Sequence, residues 1–304
     1  MALIDLSTDF GALRLDTPLI AASGTVGAVW EWAQVADVSV YGAAVAKSVA
    51  PVPWAGRPAP RLAPNSTGML NGIGIQNPGI ESWTTEMPER IERLQVPVWG
   101  STVAEDVEGY ALVAKGLESA GVSAVEVNLS CPNLDTGEMF SFDASAAAAV
   151  VAAVVGSVSV PVGAKLSPNT PDIVGVAGAC IEAGAGFLVL TNTALGFGVS
   201  VETGSPLLSG GVGGYSGPGL KPLAMRCVYE VARSLPGAPI VGCGGISTGR
   251  DVIEYLMAGA SAVEIGTVLL AEPRAGARIL KELRMGMERL AAGSLDDVIG
   301  RAVR

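Results

Sequence analysis

Cys131 sits in the stretch EVNLSCPN (126–133), between an apolar run and a proline turn, in a chain without a single histidine. Proton chemistry near neutral pH must then fall on another side chain. A thiol ordinarily titrates at about 8.5 and becomes a better base where nearby amides and lysines favour the thiolate. Asn128 and Asn133 flank Cys131 and Pro132 fixes the loop, so this cysteine is a candidate general base. Cys180 and Cys227 fall within helical patterns, Cys243 precedes a glycine turn, and all three are expected to pack as small hydrophobes. No C-x-x-C pair occurs, which argues against a zinc site, an iron–sulfur cluster or a disulfide framework in this chain, and no metal is expected.

The other polar candidates recur at one kind of place, the end of an apolar run. They are Ser23, Lys47, Ser101, Asn128, Lys165, Asn192 with Thr193, Gly244 with Gly245, and Gly266 with Thr267. A lysine ending an apolar strand is costly unless it meets an anion or an acceptor; the alternative is a stem that reaches solvent. The glycine-rich turns VGCGGIST (241–248) and EIGTVLL (264–270) offer backbone N–H groups to an anion, and the first runs straight into a helix. A mononucleotide phosphate suits them. Three segments are long for simple connections: Val49 to Gly79, Leu129 to Asp143 and Ala194 to Gly219. The first carries Asn71, Gly72, Gly74, Gln76 and Asn77, amides and open backbone suited to a planar polar ligand.

Positioning these residues requires strands. Eight short apolar runs are strand-like: 18–23, 42–47, 96–101, 123–130, 160–167, 186–192, 238–243 and 261–267. Being apolar on both faces, they suit parallel strands covered by helices. Helices are expected over Val103 to Ala120, Ala144 to Val155, Pro171 to Ala183, Leu220 to Leu235 and Thr248 to Ala258. One joint recurs as SAGVSAVEV (119–127), EAGAGFLVL (182–190) and MAGASAVEI (257–265), with Gly121, Gly184 and Gly259 placed as left-handed helix caps. Eight repeated units most simply close into an α/β fold, a single (β/α)8 TIM barrel spanning 1–304, rather than an open doubly wound sheet. The first 17 residues read as a hairpin capping the barrel bottom, and the long βα loops lie over the C-terminal face.

Composition narrows the partners. The chain is 49% hydrophobic and 16% charged with a formal net charge of -10, so a polyanion is repelled and nucleic acid is not expected. The start, MALIDLSTDF, has no basic region of a secretory signal. The most apolar stretch, Ala146 to Gly156, is shorter than the roughly 20 residues of a spanning helix, so no membrane association and a cytoplasmic location are expected.

These motifs together resemble the class 1 dihydroorotate dehydrogenases, flavin enzymes of pyrimidine biosynthesis, from about Leu15 to Pro273. The carriers are AASGT (21–25), Lys47-Ser48, GMLNGIGIQNPG (68–79), NLSCPN (128–133), KLSPN (165–169), TNT (191–193), GGYSGPGLKPLA (213–224), GCGGI (242–246) and GT (266–267). The forms at 68–79 and 215–222 look most like the 1B, NAD-linked branch, an oxidoreductase acting on a CH–CH bond.

The resemblance implies that Cys131 removes the C5 proton of (S)-dihydroorotate while N5 of one FMN per chain takes hydride from C6, giving orotate. It implies FMN contacts at Ser23, Lys47, Ser48, Ser101, Asn128, Lys165, Thr191, Gly217, Gly244, Gly245, Gly266 and Thr267, with phosphate on the last four. Substrate would meet Lys47, Asn71, Gly72, Ile73, Gly74, Ile75, Asn128, Asn192 and Thr193. It further implies a homodimer core in a heterotetramer, whose partner subunit carries FAD and a [2Fe-2S] cluster and passes electrons to NAD. The chain departs from the family pattern at Ser101, where asparagine is usual, and in the loop NLDTGEMFSFD (133–143). Alternatives are a fumarate-linked 1A enzyme, a dihydropyrimidine dehydrogenase whose substrate lacks the carboxylate that Lys47 would meet, and a binding barrel without turnover.

Overall fold

Runs of Val, Ile, Leu and Ala can bury both faces only between a barrel interior and a helical jacket, and the apolar strands of this chain occupy that position. The computed structural model describes residues 4–129 and 139–304. A hairpin of β1 (Thr8–Phe10) and β2 (Leu13–Leu15) leads into β3 (Leu19–Ala21) and β4 (Ala43–Val45). A second hairpin, β5 (Leu62–Asn65) and β6 (Gly68–Asn71), precedes β7 (Val98–Thr102), β8 (Ala124–Asn128), β9 (Val162–Leu166) and β10 (Phe187–Leu190). After β11 (Ala194–Gly196) and β12 (Gly213–Ser216) come β13 (Ile240–Cys243) and β14 (Ala262–Ile265). Strands β3, β4, β7, β8, β9, β10, β13 and β14 are parallel neighbours in that order, and β14 pairs back onto β3 to close the barrel. Seven fall within one of the eight expected runs, and β7 runs one residue past the end of 96–101, to Thr102.

The jacket contains α1 (Ile80–Glu86), α2 (Pro88–Glu92), α3 (Val107–Ser119), α4 (Ala144–Val155), α5 (Ile173–Glu182), α6 (Lys221–Ser234), α7 (Gly249–Met257), α8 (Thr267–Ala271) and α9 (Ala275–Arg289). The five expected helices are α3 to α7. Helix α3 starts later than the composition of 103–120 suggests because Asp106 caps it, accepting from Gly109 N–H at 2.7 Å. Helix α9 was outside the expected set although Ile279, Leu283 and Met287, spaced by four, are all fully buried. The recurrent joint has the anticipated geometry, with φ of 92°, 99° and 109° at Gly121, Gly184 and Gly259.

Phe10 of the first hairpin closes the barrel bottom, its ring 5.8 Å from Phe187 and 6.4 Å from Trp99. At the opposite end two of the segments read as loops pair with each other. Strands β11, β12, β6 and β5 form an antiparallel sheet in that order, with Leu70 opposite Tyr215. Their sequences, ALG, GGYS, GMLN and LAPN, lack clear alternation, and the sheet's own core is small, built on Ala63, Leu70 and Leu208. Such strands form because the barrel brings distant hairpins together, a fact that no local window contains.

Candidate active site

Side chains alternate along each strand, so one parity faces the barrel interior and the other the helices. Phe187 and Val189 of β10, Ala124 of β8, Trp99 of β7 and Ala262 of β14 pack in the inner core. By the same parity Ser101, Glu126, Asn128, Lys165, Thr191, Cys243 and Glu264 point inward above them. The strand-end polar residues therefore converge because the apolar residues two positions earlier do.

Asn128, Lys165, Thr191 and Cys243 among them line a cavity of about 600 Å³ at the C-terminal mouth, a size that suits a small ligand or cofactor. Of the expected contact residues, Ser23, Lys47, Ser48, Asn71, Ile73, Ile75, Asn128, Lys165, Thr191, Asn192, Thr193, Gly217, Gly244, Gly245, Gly266 and Thr267 all reach its wall. One wall is amide-rich: Asn192 Nδ2 donates to Asn128 Oδ1 at 3.1 Å, Asn128 Nδ2 to Ser48 Oγ at 3.3 Å, and Tyr110 Oη to the Asn128 carbonyl at 2.9 Å. Asn71, on β6 of the added sheet, donates to the Gly214 carbonyl at 3.1 Å.

Three expected residues lie behind that wall. Ser101 is fully buried beneath Ser48, 2.9 Å from its hydroxyl and 3.4 Å from Glu126 Oε1. With its hydroxyl on a single methylene, serine stops below the surface and joins the wall to the charges underneath. Gly72 and Gly74 alternate with Ile73 and Ile75, so the two isoleucines face the cavity while Gly74, at φ +72°, turns the chain. Cys131 lies outside the described residues. Cys180 and Cys227 are buried in α5 and α6, and burial pushes the Cys180 thiol up to about 12. Cys243 packs against the inner core, as expected, and also reaches the cavity wall.

The opposite wall is the glycine turn after β13. Gly245 has φ +71°, and a Cβ there would meet the Gly217 carbonyl and Lys221 N at 2.8 Å, backbone that cannot give way. The turn feeds α7 through a capping box of Thr248 and Asp251. Asp251 Oδ2 accepts from Ser247 N at 2.9 Å and Thr248 N at 2.8 Å, while Lys221 Nζ bonds Oδ1. Burial alone would raise the Asp251 carboxyl, but Lys221 and these donors outweigh it and hold it below the ordinary value. Thr267 Oγ1 donates to Ser216 Oγ at 2.9 Å, tying the last strand's turn to the added sheet. Ser216 and Ser247 line the cavity without having been singled out, since serines in turns carry little local signal.

Beneath the cavity lies a buried charge cluster. Lys165 Nζ is 2.6 Å from Glu264 Oε2 and 3.4 Å from Glu126 Oε2, and neither glutamate is more than 1% exposed. Burial, and next the facing Glu264, push the Glu126 carboxyl up. Burial alone would lower the Lys165 ammonium, yet the two glutamates outweigh it and raise it. Both glutamates were visible in sequence as single acids inside SAVEVNLS and SAVEIGT, a signal masked by the apolar composition around them.

A closed barrel of eight parallel strands, with glycine turns on one side and lysine and amides on the other side of the cavity at its C-terminal mouth, places the chain in the (β/α)8 class of enzyme barrels. The chain belongs to the dihydroorotate dehydrogenase family, whose model matches residues 5–287. It is 40% identical over 299 residues to the "Dihydroorotate dehydrogenase B (NAD(+)), catalytic subunit" of Geobacillus kaustophilus, covering 98% of this chain and 95% of the relative. The protein of the same description from Alkaliphilus metalliredigens is 36% identical over 301 residues, with 99% of each chain covered. The crystal structure of DHODH from Eimeria tenella in complex with ferulenol shares the fold, with a TM-score of 0.84 at 20% identity, over 99% of this chain and 89% of that one.

Proposed function

We propose that this chain oxidises dihydroorotate to orotate in pyrimidine biosynthesis, as the FMN-bearing catalytic subunit of an NAD-linked enzyme. The observation that carries the proposal is the opposition of the two walls: an anion seat of glycine turns on one side, lysine and amides on the other. The residues fit FMN. Thr191 Oγ1 is buried at the cavity wall with no hydrogen-bond partner among the described residues, and Gly24, also on the wall, has open space where a Cβ would stand. Gly244, Gly245, Gly266 and Thr267 would hold the phosphate, with Ser23, Thr191 and Lys165 along the ring system. FMN, when bound, supplies the hydride acceptor.

Orotate is a planar anion with paired donors and acceptors. Lys47 would meet its carboxylate and Asn71, Asn128, Asn192 and Thr193 its ring edges, a complement of charge and amides that a neutral pyrimidine would not fully use. Ile73, Ile75 and Met69 would exclude water from the reacting carbons. Cys131 would take the C5 proton as the thiolate.

The NAD linkage is favoured over a fumarate-linked reaction by the NAD(+) catalytic subunits among the relatives. A partner subunit with FAD and [2Fe-2S] and a homodimer core belong to the same proposal. Exposed Leu195, Phe197, Val199 and Val201, on and beside the added sheet, supply apolar surface for such protein contact. The test is anaerobic addition of dihydroorotate to the purified chain while flavin absorbance is followed. Bleaching by dihydroorotate and not by dihydrouracil is expected; an FMN-loaded sample that does not bleach would overturn the substrate assignment.

A further inference from the structure

Glu126 and Glu264 stand on β8 and β14, opposite sides of the barrel ring, and meet the single ammonium of Lys165 between them. All three side chains are at least 95% buried. Two ionised carboxylates against one ammonium would leave a net negative charge out of water, which a closed interior strongly disfavours. Among the described residues, Ser23 on the loop after β3, Ser101 on β7, Thr191 after β10 and Cys243 on β13 surround the pair and are neutral, burial pushing the Cys243 thiol up. Lys47 ends β4 one inward layer above, at the cavity wall.

The hydrogen bonds are consistent with a missing proton. Glu264 Oε1 is buried with no partner among the described residues, and the Glu126 carboxyl shares the same ammonium, Lys165 Nζ lying 2.6 Å from Glu264 Oε2 and 3.4 Å from Glu126 Oε2. An acceptor without a donor beside a second carboxyl is resolved if that second carboxyl carries a hydrogen. Lys165 makes its short contact with Glu264, so the charge belongs there and the proton on Glu126.

We propose that Glu126 and Glu264 share one proton and so hold a single negative charge against Lys165, making the cluster a neutral positioning unit beneath the cofactor's ring. Its effect is to keep Lys165 protonated and fixed at the cavity floor without placing net charge there. The redox part of this inference rests on the FMN reading given above; the charge count does not.

Two measurements test it. Infrared difference spectra of the chain stripped of flavin, at neutral pH, should show one protonated-carboxyl C=O band in wild type that is lost in Glu126→Gln. It should be lost equally in Glu264→Gln, because Glu126 then becomes the lone anion beside Lys165. In the flavin-loaded protein, each single substitution keeps the cluster neutral and should move the midpoint potential little. Glu126→Gln with Glu264→Gln together should raise it by clearly more than the two single shifts summed, since the ammonium is then unbalanced. No protonated-carboxyl band in wild type, or single variants that each raise the potential and add in the double, would overturn the proposal. Should the double variant not fold, the infrared arm still decides. A band present in a chain that does not bleach with dihydroorotate would leave the cluster intact and remove only the substrate assignment.

Discussion

A serine hydroxyl is a far weaker base than a thiolate, so Cys131→Ser separates cofactor binding from proton abstraction. The variant is expected to keep its FMN content and to slow flavin reduction by orders of magnitude at neutral pH, measured by anaerobic stopped flow. Reduction at the wild-type rate would take Cys131 out of the reaction. Single residues were unevenly legible. Cys131 stood out because histidine is absent and its neighbours are polar, and Lys165 because it ends an apolar strand. Glu126 and Glu264 did not, because an acid within a strand reads as a solvated position until the barrel closes and turns that parity inward. Ser101 was legible as a strand-end hydroxyl, but its depth beneath Ser48 follows from side-chain length within the packed wall.

The elements that matter most are those joining a strand to the proposed phosphate turn. In the turn from β13 to α7 one carboxylate, Asp251, accepts from the backbone of Ser247 and Thr248 while it pairs with Lys221. Asp251→Ala removes these acceptors and leaves Lys221 paired with Glu254 alone. Loss of a helix cap of this kind costs about 1–2 kcal/mol. The expected outcome is a lower melting temperature together with faster FMN release, read by thermal unfolding and by flavin fluorescence; a lower melting temperature with unchanged release would confine Asp251 to stability. The barrel strands were legible because a strand buried on both faces needs an unbroken apolar run. The sheet formed by β5, β6, β11 and β12 was not, because its short glycine-containing strands bury little and are defined by pairing across more than one hundred residues, as in Leu70 with Tyr215.

For the whole molecule, the proposed division of labour puts electron transfer to NAD outside this chain. The chain alone is therefore expected to bleach its flavin with dihydroorotate yet form no NADH, and to form NADH once an FAD/[2Fe-2S] subunit is added, followed by absorbance. NADH formation by the isolated chain would remove the need for a partner. Among the described residues no helix is long and apolar enough to cross a membrane. The sequence by itself determined the barrel, through eight apolar runs and a repeated glycine joint, and the site's chemical types, through what those runs end in. Only the tertiary structure decided which residues touch: that β8, β9 and β14 bring three buried charges together, that Ser101 sits behind Ser48, and that two distant hairpins wall one cavity. Composition and periodicity are local properties of a chain, whereas charge balance and enclosure depend on distances across the barrel, which exist only once it has closed.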